Sequence, residues 1–161
     1  MSDEKEILAG KRVLAVDDEE DVLEVIEEQL LSCNVTSANT FEKAKLYLEN
    51  KKFDLAIMDI MGVRGFDLLD IANEKGVPTV MLTAHSMTPE SMQKSADTGA
   101  ASFLPKEELG TLEEIIAEVF TELAAGRLHW GKLEDRLGAK LKKEWGELWD
   151  RIKYPRDLDY D

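Results

Sequence analysis

The sequence predicts an α/β fold in which one parallel sheet is covered by helices on both faces. Two observations predict this class: short apolar runs alternate with longer stretches of helical apolar spacing, and most of these runs end at or just before a polar residue. Because parallel strands need a crossover between them, such alternation indicates a sheet buried on both faces. The runs predicted as strands are 12–16, 35–38, 55–58, 77–82 and 101–104.

Helical spacing predicts one helix after each strand. Thr40 is a plausible N-cap, Pro89 suits the first turn of a helix, and Gly76 and Gly99 suit the end of one. The predicted helices span about 20–32, 40–48, 66–73, 89–99 and 109–124.

The composition narrows the function classes. The chain has 161 residues, 43% of them hydrophobic, and a formal net charge of −14. This charge argues against general attraction to nucleic acid or anionic membranes. The single cysteine, Cys33, has no intrachain partner, no secretory signal is evident, and no apolar stretch is long enough to span a bilayer. We therefore expect a cytoplasmic protein.

A shift in charge predicts a boundary near Gly126. Residues 1–125 hold 26 Asp and Glu against 11 Lys and Arg, whereas residues 126–161 hold 8 against 9. The sequence thus predicts a principal domain over residues 1–125 and a helical extension with an acidic tail over residues 126–161.

Polar side chains stand at the carboxyl ends of four predicted strands, where open parallel sheets bind their ligands. Asp17 and Asp18 follow the first strand, Asp59 the third, Thr83 the fourth and Lys106 the fifth. Clustered carboxylates repel each other unless a cation joins them, and oxygen ligands suit Mg²⁺. A carboxylate nucleophile with a metal, an ammonium and a hydroxyl nearby fits phosphoryl transfer.

Four short motifs carry a resemblance to a known family. Val-Asp-Asp-Glu at 16–19, Met-Asp-Ile-Met at 58–61, Leu-Thr-Ala at 82–84 and Phe-Leu-Pro-Lys at 103–106 resemble the signatures of response-regulator receiver domains, in the same order. The resemblance covers about residues 10–125 and is closest to single-domain receivers of the chemotaxis type. It implies a flavodoxin-like, doubly wound five-stranded sheet in the order 2-1-3-4-5, to which this chain adds a C-terminal amphipathic helix.

The resemblance implies a phosphoacceptor and a metal site. Asp59 is the implied phosphoacceptor. Asp18 and Asp59 would bind Mg²⁺ directly, Asp17 would act through water, and the Met61 backbone carbonyl would complete the protein ligands.

The resemblance also implies a switch. Lys106 would pair with the phosphoryl group, while Thr83 would bind a phosphoryl oxygen and move, which lets Phe103 rotate inward. Met61 and His85 occupy positions where the family tunes dephosphorylation.

The chain departs from the family pattern in two places. The loop Gly62-Val63-Arg64-Gly65 is about two residues shorter than usual and lacks the usual proline, which puts the placement of the Met61 carbonyl in question. Glu107 stands where the family has a proline after the lysine, and Pro105 precedes it. We expect function with altered kinetics.

Simpler readings stand beside these roles. Asp17 and Asp18 could cap the following helix, although Asp59 at the neighbouring strand favours the metal site. Phe103 could be plain core, and His85 could be a solvent-facing loop residue.

The apolar residues past Gly126 recur about every 3.67 residues, which matches a straight helix. Its glycines weaken it, so it needs packing partners, and Pro155 would end it. It could pack on its own receiver, or it could be an output helix that dimerises or binds a partner. The apolar residues of this stripe are Trp130, Leu133, Leu137, Leu141, Trp145, Leu148 and Ile152.

These observations predict a phosphoaspartate-switched signalling protein of a two-component system or phosphorelay. Its expected partners are a histidine kinase or phosphotransfer protein and an unknown protein target, with a possible homodimer, no nucleic acid and no membrane. It would catalyse only its own phosphorylation and dephosphorylation. The alternative is a receiver-fold scaffold that no longer switches and acts through its C-terminal helix. A Mg²⁺-dependent phosphatase with an aspartyl nucleophile fits this sequence badly. Such an enzyme needs the nucleophile and a second acid two residues apart on the first strand, whereas Asp17 and Asp18 are adjacent.

Overall fold

The computed structural model, which describes residues 3–84 and 88–157, contains one five-stranded parallel sheet in the order β2-β1-β3-β4-β5. The fold class and the strand order predicted from the sequence are confirmed. The strands are β1 (Arg12–Val16), β2 (Asn34–Ala38), β3 (Leu55–Asp59), β4 (Thr79–Thr83) and β5 (Ser102–Pro105).

Helices connect the strands and flank the sheet. A 3₁₀ helix, Lys106–Thr111, precedes α6, so the last predicted receiver helix begins at Leu112 rather than near residue 109. The α-helices of the described residues are α1 (Asp3–Leu8), α2 (Glu20–Gln29), α3 (Phe41–Asn50), α4 (Gly65–Glu74), α5 (Pro89–Asp97), α6 (Leu112–Ala124), α7 (Trp130–Trp145) and α8 (Glu147–Asp150). None of these helices has the length and apolar character that crossing a bilayer requires.

The apolar side chains form one cluster on each face of the sheet. One cluster joins α1, α2 and α6 to the sheet, and the other joins α3, α4, α5 and α7 to it. Because both faces are covered, every residue of β3 and β4 is buried. The central strands therefore consist of near-continuous apolar runs, as the sequence indicated.

The two edge strands differ. Most residues of β2 are partly exposed, whereas all four residues of β5 are buried. The helix α7 contributes Trp130 and three leucines to the cluster that contains Phe103 of β5. An edge strand covered in this way offers no free row of backbone groups to another chain.

The C-terminal extension packs on its own receiver, which was one of the two possibilities left open by the sequence. The prediction of one helix through residue 152 is wrong. The helix α7 ends at Trp145, because Gly146 takes a backbone conformation (φ 58°, ψ −130°) that no helix continues through. The short α8 follows, and its Leu148 is 47% exposed rather than part of a continuous apolar stripe.

The short helix α1 was not predicted. Its Leu8 is fully buried, and the helix packs against α6. Six mostly charged residues carry too little periodicity to predict a helix, so its formation depends on this tertiary contact.

Candidate functional site

The parallel register brings the predicted site residues to one edge of the sheet. Val16 pairs with Met58, so Asp17 and Asp59 follow side by side, and Thr83 pairs with Pro105, the residue before Lys106. A cleft of about 250 Å³ opens there. It is lined by Asp18, Glu19, Asp59, Ile60, Met61, Gly62, Thr83, Ala84 and Lys106.

Lys106 lies at the centre of the carboxylates. Its Nζ is 2.9 Å from Asp17 Oδ2, 3.2 Å from Asp59 Oδ1 and 3.3 Å from Glu19 Oε1. Burial alone would lower the pKa of Lys106, but Asp17 and Asp59 outweigh it and hold the pKa above its usual value. The ammonium is therefore charged at neutral pH and can pair with an anion in the cleft.

Asp17 lies beside the cleft, in contact with Lys106, and has no exposed surface. Its Oδ1 accepts a hydrogen bond from the Glu19 backbone N–H at 2.9 Å. Its Oδ2 lies beside Lys106 Nζ, but accepts no hydrogen bond of proper geometry. Burial raises the pKa of Asp17, and the Glu19 amide and Lys106 only partly offset that effect. A buried carboxylate oxygen without a hydrogen bond has room for a further electropositive partner.

The donor set of this edge fits a hard cation. Among the described residues, carboxylate oxygens of Asp17, Asp18 and Glu19 lie within 4.8 Å of one another. Oxygen-only ligands of this kind suit Mg²⁺, which binds few carboxylates and keeps several waters. Asp59, which lines the cleft together with Asp18 and Glu19, adds a further carboxylate beside this group.

The carboxylate of Asp59 is held from two sides. Lys106 Nζ contacts its Oδ1, and the Gly62 backbone N–H donates a hydrogen bond of 2.9 Å to its Oδ2. Both contacts orient the carboxylate in the cleft, and the residue as a whole is 5% exposed. The arrangement suits a nucleophile that must be accessible to a donor but fixed in direction.

The short loop after β3 depends on two glycines. A Cβ on Gly62 would lie 2.3 Å from Asp18 Oδ1, and a Cβ on Gly65 would lie 2.2 Å from the Asp59 carbonyl oxygen. Arg64 between them adopts the left-handed region with φ 56°. Sequence reasoning noted the shortened loop but missed these close approaches; the two glycines flanking so short a loop were the available signal.

The structure places the remaining predicted residues as follows. Met61 is 83% exposed, and its carbonyl, the predicted metal ligand, accepts a hydrogen bond from the Arg64 N–H at 3.3 Å. Thr83 lines the cleft, whereas Phe103 is 1% exposed and lies in the core cluster that includes α7. His85 lies outside the described residues.

Glu19 was also missed as a site residue. It lies directly after the acid pair, contacts Lys106 and contributes to the acidic cluster. Its place in the motif at 16–19 was the available signal.

Comparison with known sequences identifies a family over two thirds of the chain. A family model described as "Response regulator receiver domain" matches residues 13–119. The two-component response regulator ARR12 of Arabidopsis thaliana is 42% identical over 104 residues, which cover 60% of this chain and 17% of that protein. The transcriptional regulatory protein YrkP of Bacillus subtilis, described as uncharacterized, is 30% identical over 161 residues, covering 92% of this chain and 68% of that protein. The chain thus spans about a fifth or less of the plant relatives' length.

Solved structures share the fold. A CheY-like receiver domain protein from Methanospirillum hungatei JF-1 has a TM-score of 0.63 and 29% identity, covering 71% of this chain and 96% of that one. A response regulator from Thermotoga maritima has the same TM-score at 21% identity, covering 70% of this chain and 98% of that one, and shows the fold alone. These neighbours match roughly the receiver portion of the chain. The motifs, the strand order and the family match together show that this chain belongs to the response regulator receiver domains, the signalling switches of two-component systems.

Proposed function

We propose that the chain accepts a phosphoryl group on Asp59 in a Mg²⁺-dependent reaction, and that it passes this signal on through protein contacts. The donor would be a phosphohistidine of a histidine kinase or phosphotransfer protein. Residues 1–125 would act as the receiver and residues 126–161 as its extension, in the cytoplasm. The observation that carries the proposal is the position of Lys106, whose ammonium joins Asp17 to Asp59 at the open edge of the sheet.

The proposed transfer is a displacement at phosphorus. An Asp59 carboxylate oxygen forms the new bond to phosphorus, while the bond between phosphorus and the donor atom breaks and its electron pair leaves with the donor. Lys106 and the Gly62 N–H, which already contact the two carboxylate oxygens, keep Asp59 directed at the incoming phosphorus. Thr83 lines the same cleft and has a hydroxyl available to a phosphoryl oxygen.

Bound Mg²⁺ would neutralise charge on the phosphoryl oxygens. Asp18 and Asp59 would hold it, Asp17 would act through water, and the Met61 carbonyl is the further ligand that we propose. The fit rests on the clustered carboxylates and on the buried Asp17 oxygen that accepts no hydrogen bond. The protein would catalyse only its own phosphorylation and dephosphorylation, with Met61 and His85 at the positions that set the rate.

One observation favours the second candidate, a scaffold that no longer switches. The Met61 carbonyl accepts a hydrogen bond from the Arg64 N–H inside the shortened loop, which reduces its capacity to bind a metal. The scaffold would act through its docked C-terminal segment and would take up no phosphoryl group.

Intact mass spectrometry with Mg²⁺ and a small phosphodonor such as acetyl phosphate separates the two candidates. We expect a phosphoryl adduct on the wild type that disappears in Asp59→Asn. The matched control is Asp70→Asn, which removes an exposed carboxylate from α4 and should keep the adduct. Absence of an adduct on the wild type with every small donor and with purified histidine kinases would contradict the proposal and support the scaffold.

A further inference from the structure

The helix α7 runs along the whole outer edge of β5. At the start of the strand, the His129 N–H donates to the Ala101 carbonyl at 3.0 Å and the Trp130 indole N–H donates to the Ala100 carbonyl at 2.9 Å. At the other end, Lys140 Nζ lies 3.6 Å from Glu107 Oε2. Along the chain, the helix is thus attached both before and after Lys106, the cation of the cleft.

A chain of polar contacts, buried at His129 and partly exposed at Arg136, fixes the start of this attachment. His129 has no exposed surface; its Nδ1 lies 2.7 Å from Ser102 Oγ and its Nε2 lies 2.8 Å from Glu118 Oε1. Arg136 of α7 contacts both oxygens of the Glu118 carboxylate, at 3.0 and 3.3 Å. The contacts join β5, α6 and α7 into one unit, and each group in the chain has its partner.

The strand β5 links this unit to the cleft. It is four residues long, with Ser102 at its start and Lys106 directly after its end. At about 3.3 Å per residue, roughly 10–13 Å separate the buried His129 contact from the residue that holds Asp59. All four residues are buried, so the strand cannot shift at Lys106 without altering its packing against α7.

We propose that the segment 127–157 covers the β5 edge in the unphosphorylated protein and that its docking on this edge weakens when Asp59 is phosphorylated. The proposal rests on the phosphorylation of Asp59 proposed above. A phosphoryl group on Asp59 replaces the Lys106–Asp59 contact with contacts to phosphoryl oxygens, so Lys106 and the adjoining end of β5 take a new position. The interface between α7 and β5 is close-packed, so it is most stable at one position of the strand. When phosphorylation moves the end of β5, the packing of α7 against the strand becomes less favourable.

The coupling is reciprocal by thermodynamic necessity. If phosphorylation weakens the docking of α7, then a weaker docking of α7 must favour phosphorylation. This consequence is useful because it predicts that a substitution far from the cleft changes the equilibrium affinity of the cleft for a mimic of the phosphoryl group.

Undocking of α7 should be easy to detect. The helix contains Gly131 and Gly138 and ends at Gly146, so its intrinsic helix propensity is low. An added Cβ at Gly138 meets nothing closer than 3.5 Å, so close packing does not require this glycine. The helix therefore depends on its docking, and a released segment would lose its backbone hydrogen bonds.

Hydrogen exchange followed by mass spectrometry on the full chain tests the proposal directly. With Mg²⁺ and acetyl phosphate, we expect amide exchange in residues 130–145 to rise about fivefold or more in the wild type and to stay unchanged in Asp59→Asn. The adduct is measured in the same samples. An adduct without faster exchange in α7 overturns this inference and leaves the proposed function intact, whereas absence of the adduct overturns the proposed function itself.

The reciprocal arm uses a mild variant. Arg136→Gln removes the ion pairs of α7 with Glu114 and Glu118 but leaves the apolar stripe of the helix in place. We expect beryllofluoride, which mimics a phosphoryl group on Asp59, to bind this variant more tightly than the wild type in the presence of Mg²⁺. Lys132→Gln, with the same loss of charge at an exposed position of α7, is the control and should match the wild type. An unchanged or weaker beryllofluoride affinity of Arg136→Gln, with the control unchanged, would overturn the inference.

Discussion

The cleft at the end of the sheet and the segment that covers β5 are built in opposite ways. The cleft concentrates charge: carboxylates of Asp17, Asp59 and Glu19 surround one ammonium, and one buried oxygen has no hydrogen bond. The segment concentrates apolar surface, and its buried polar groups are fully paired around His129. The clustered charges of the cleft lower the stability of the fold but can bind a ligand. The apolar, fully paired segment raises the stability of the fold, and none of its described buried polar groups is left for a ligand. The contrast assigns chemistry to the cleft and stabilisation to the segment.

The largest expected effect tests the stabilising role of the segment. Trp130 is fully buried, so Trp130→Ala should lower the free energy of unfolding by about 3–5 kcal/mol. Urea denaturation measures this loss, and the partly exposed Trp149 provides the control, since Trp149→Ala should cost much less. A loss below about 1 kcal/mol for Trp130→Ala would show that the segment does not stabilise the receiver.

The next effect tests the chemical role of the cleft. Lys106→Met keeps the length of the side chain but removes the charge that contacts Asp59, so adduct formation with acetyl phosphate should slow about a hundredfold or more. Time-resolved intact mass spectrometry gives the rate. Lys132→Met on α7 should react at the wild-type rate; a similarly small change for Lys106→Met would break the distinction between the two regions.

A smaller effect tests the short loop. An added methyl group in Gly62→Ala would overlap Asp18 Oδ1, so Mg²⁺ affinity measured by calorimetry should fall about tenfold or more. Gly110→Ala is the matched control, because no atom lies within 4 Å of its added Cβ. Equal Mg²⁺ affinity in the two variants would show that the close approach of Gly62 to Asp18 does not set the geometry of the metal site.

The smallest effect concerns pH. Burial lowers the pKa of His129 below its usual 6.5, although Glu118 partly opposes the shift, and Arg136 and Glu122 are the other charges that act on the ring. His129 therefore binds a proton more readily in the unfolded chain than in the folded chain. As a result, the folded state loses stability as the pH falls below about 6.5. Between about pH 7 and pH 6 this loss is at most about 0.7 kcal/mol, the limit set by protonation of the unfolded histidine. Urea denaturation at both pH values should show it in the wild type but not in His129→Gln. An equal loss in both proteins would mean that His129 is not the group responsible.

The two regions also differ in how far the sequence predicted them. The strand order was predictable from the family resemblance that the short motifs carry. The convergence of Asp17, Asp59 and Lys106 was predictable because the carboxyl ends of parallel strands meet at one edge of the sheet. The contact of His129 with Ser102 was not, since it joins residues 27 positions apart that belong to no motif.

In the C-terminal extension, the spacing of apolar residues predicted the buried face of the helix but not the position at which the helix ends. The spacing of Trp130, Leu133, Leu137 and Leu141 correctly indicated one buried face. The same spacing continues past Gly146, where a backbone with positive φ ends the helix. The spacing of apolar residues carries no information about the backbone conformation at a glycine, so it could not predict that the helix ends at Gly146.

The most direct test of the central claim is to locate the phosphoryl group within the chain. After reaction with Mg²⁺ and acetyl phosphate, borohydride reduction converts an aspartyl phosphate to homoserine, and peptide mass spectrometry identifies the modified position. We predict homoserine at position 59 only, and none when Mg²⁺ is removed by a chelator. Homoserine at position 17 or 18, or equal labelling of position 59 without Mg²⁺, would contradict the account.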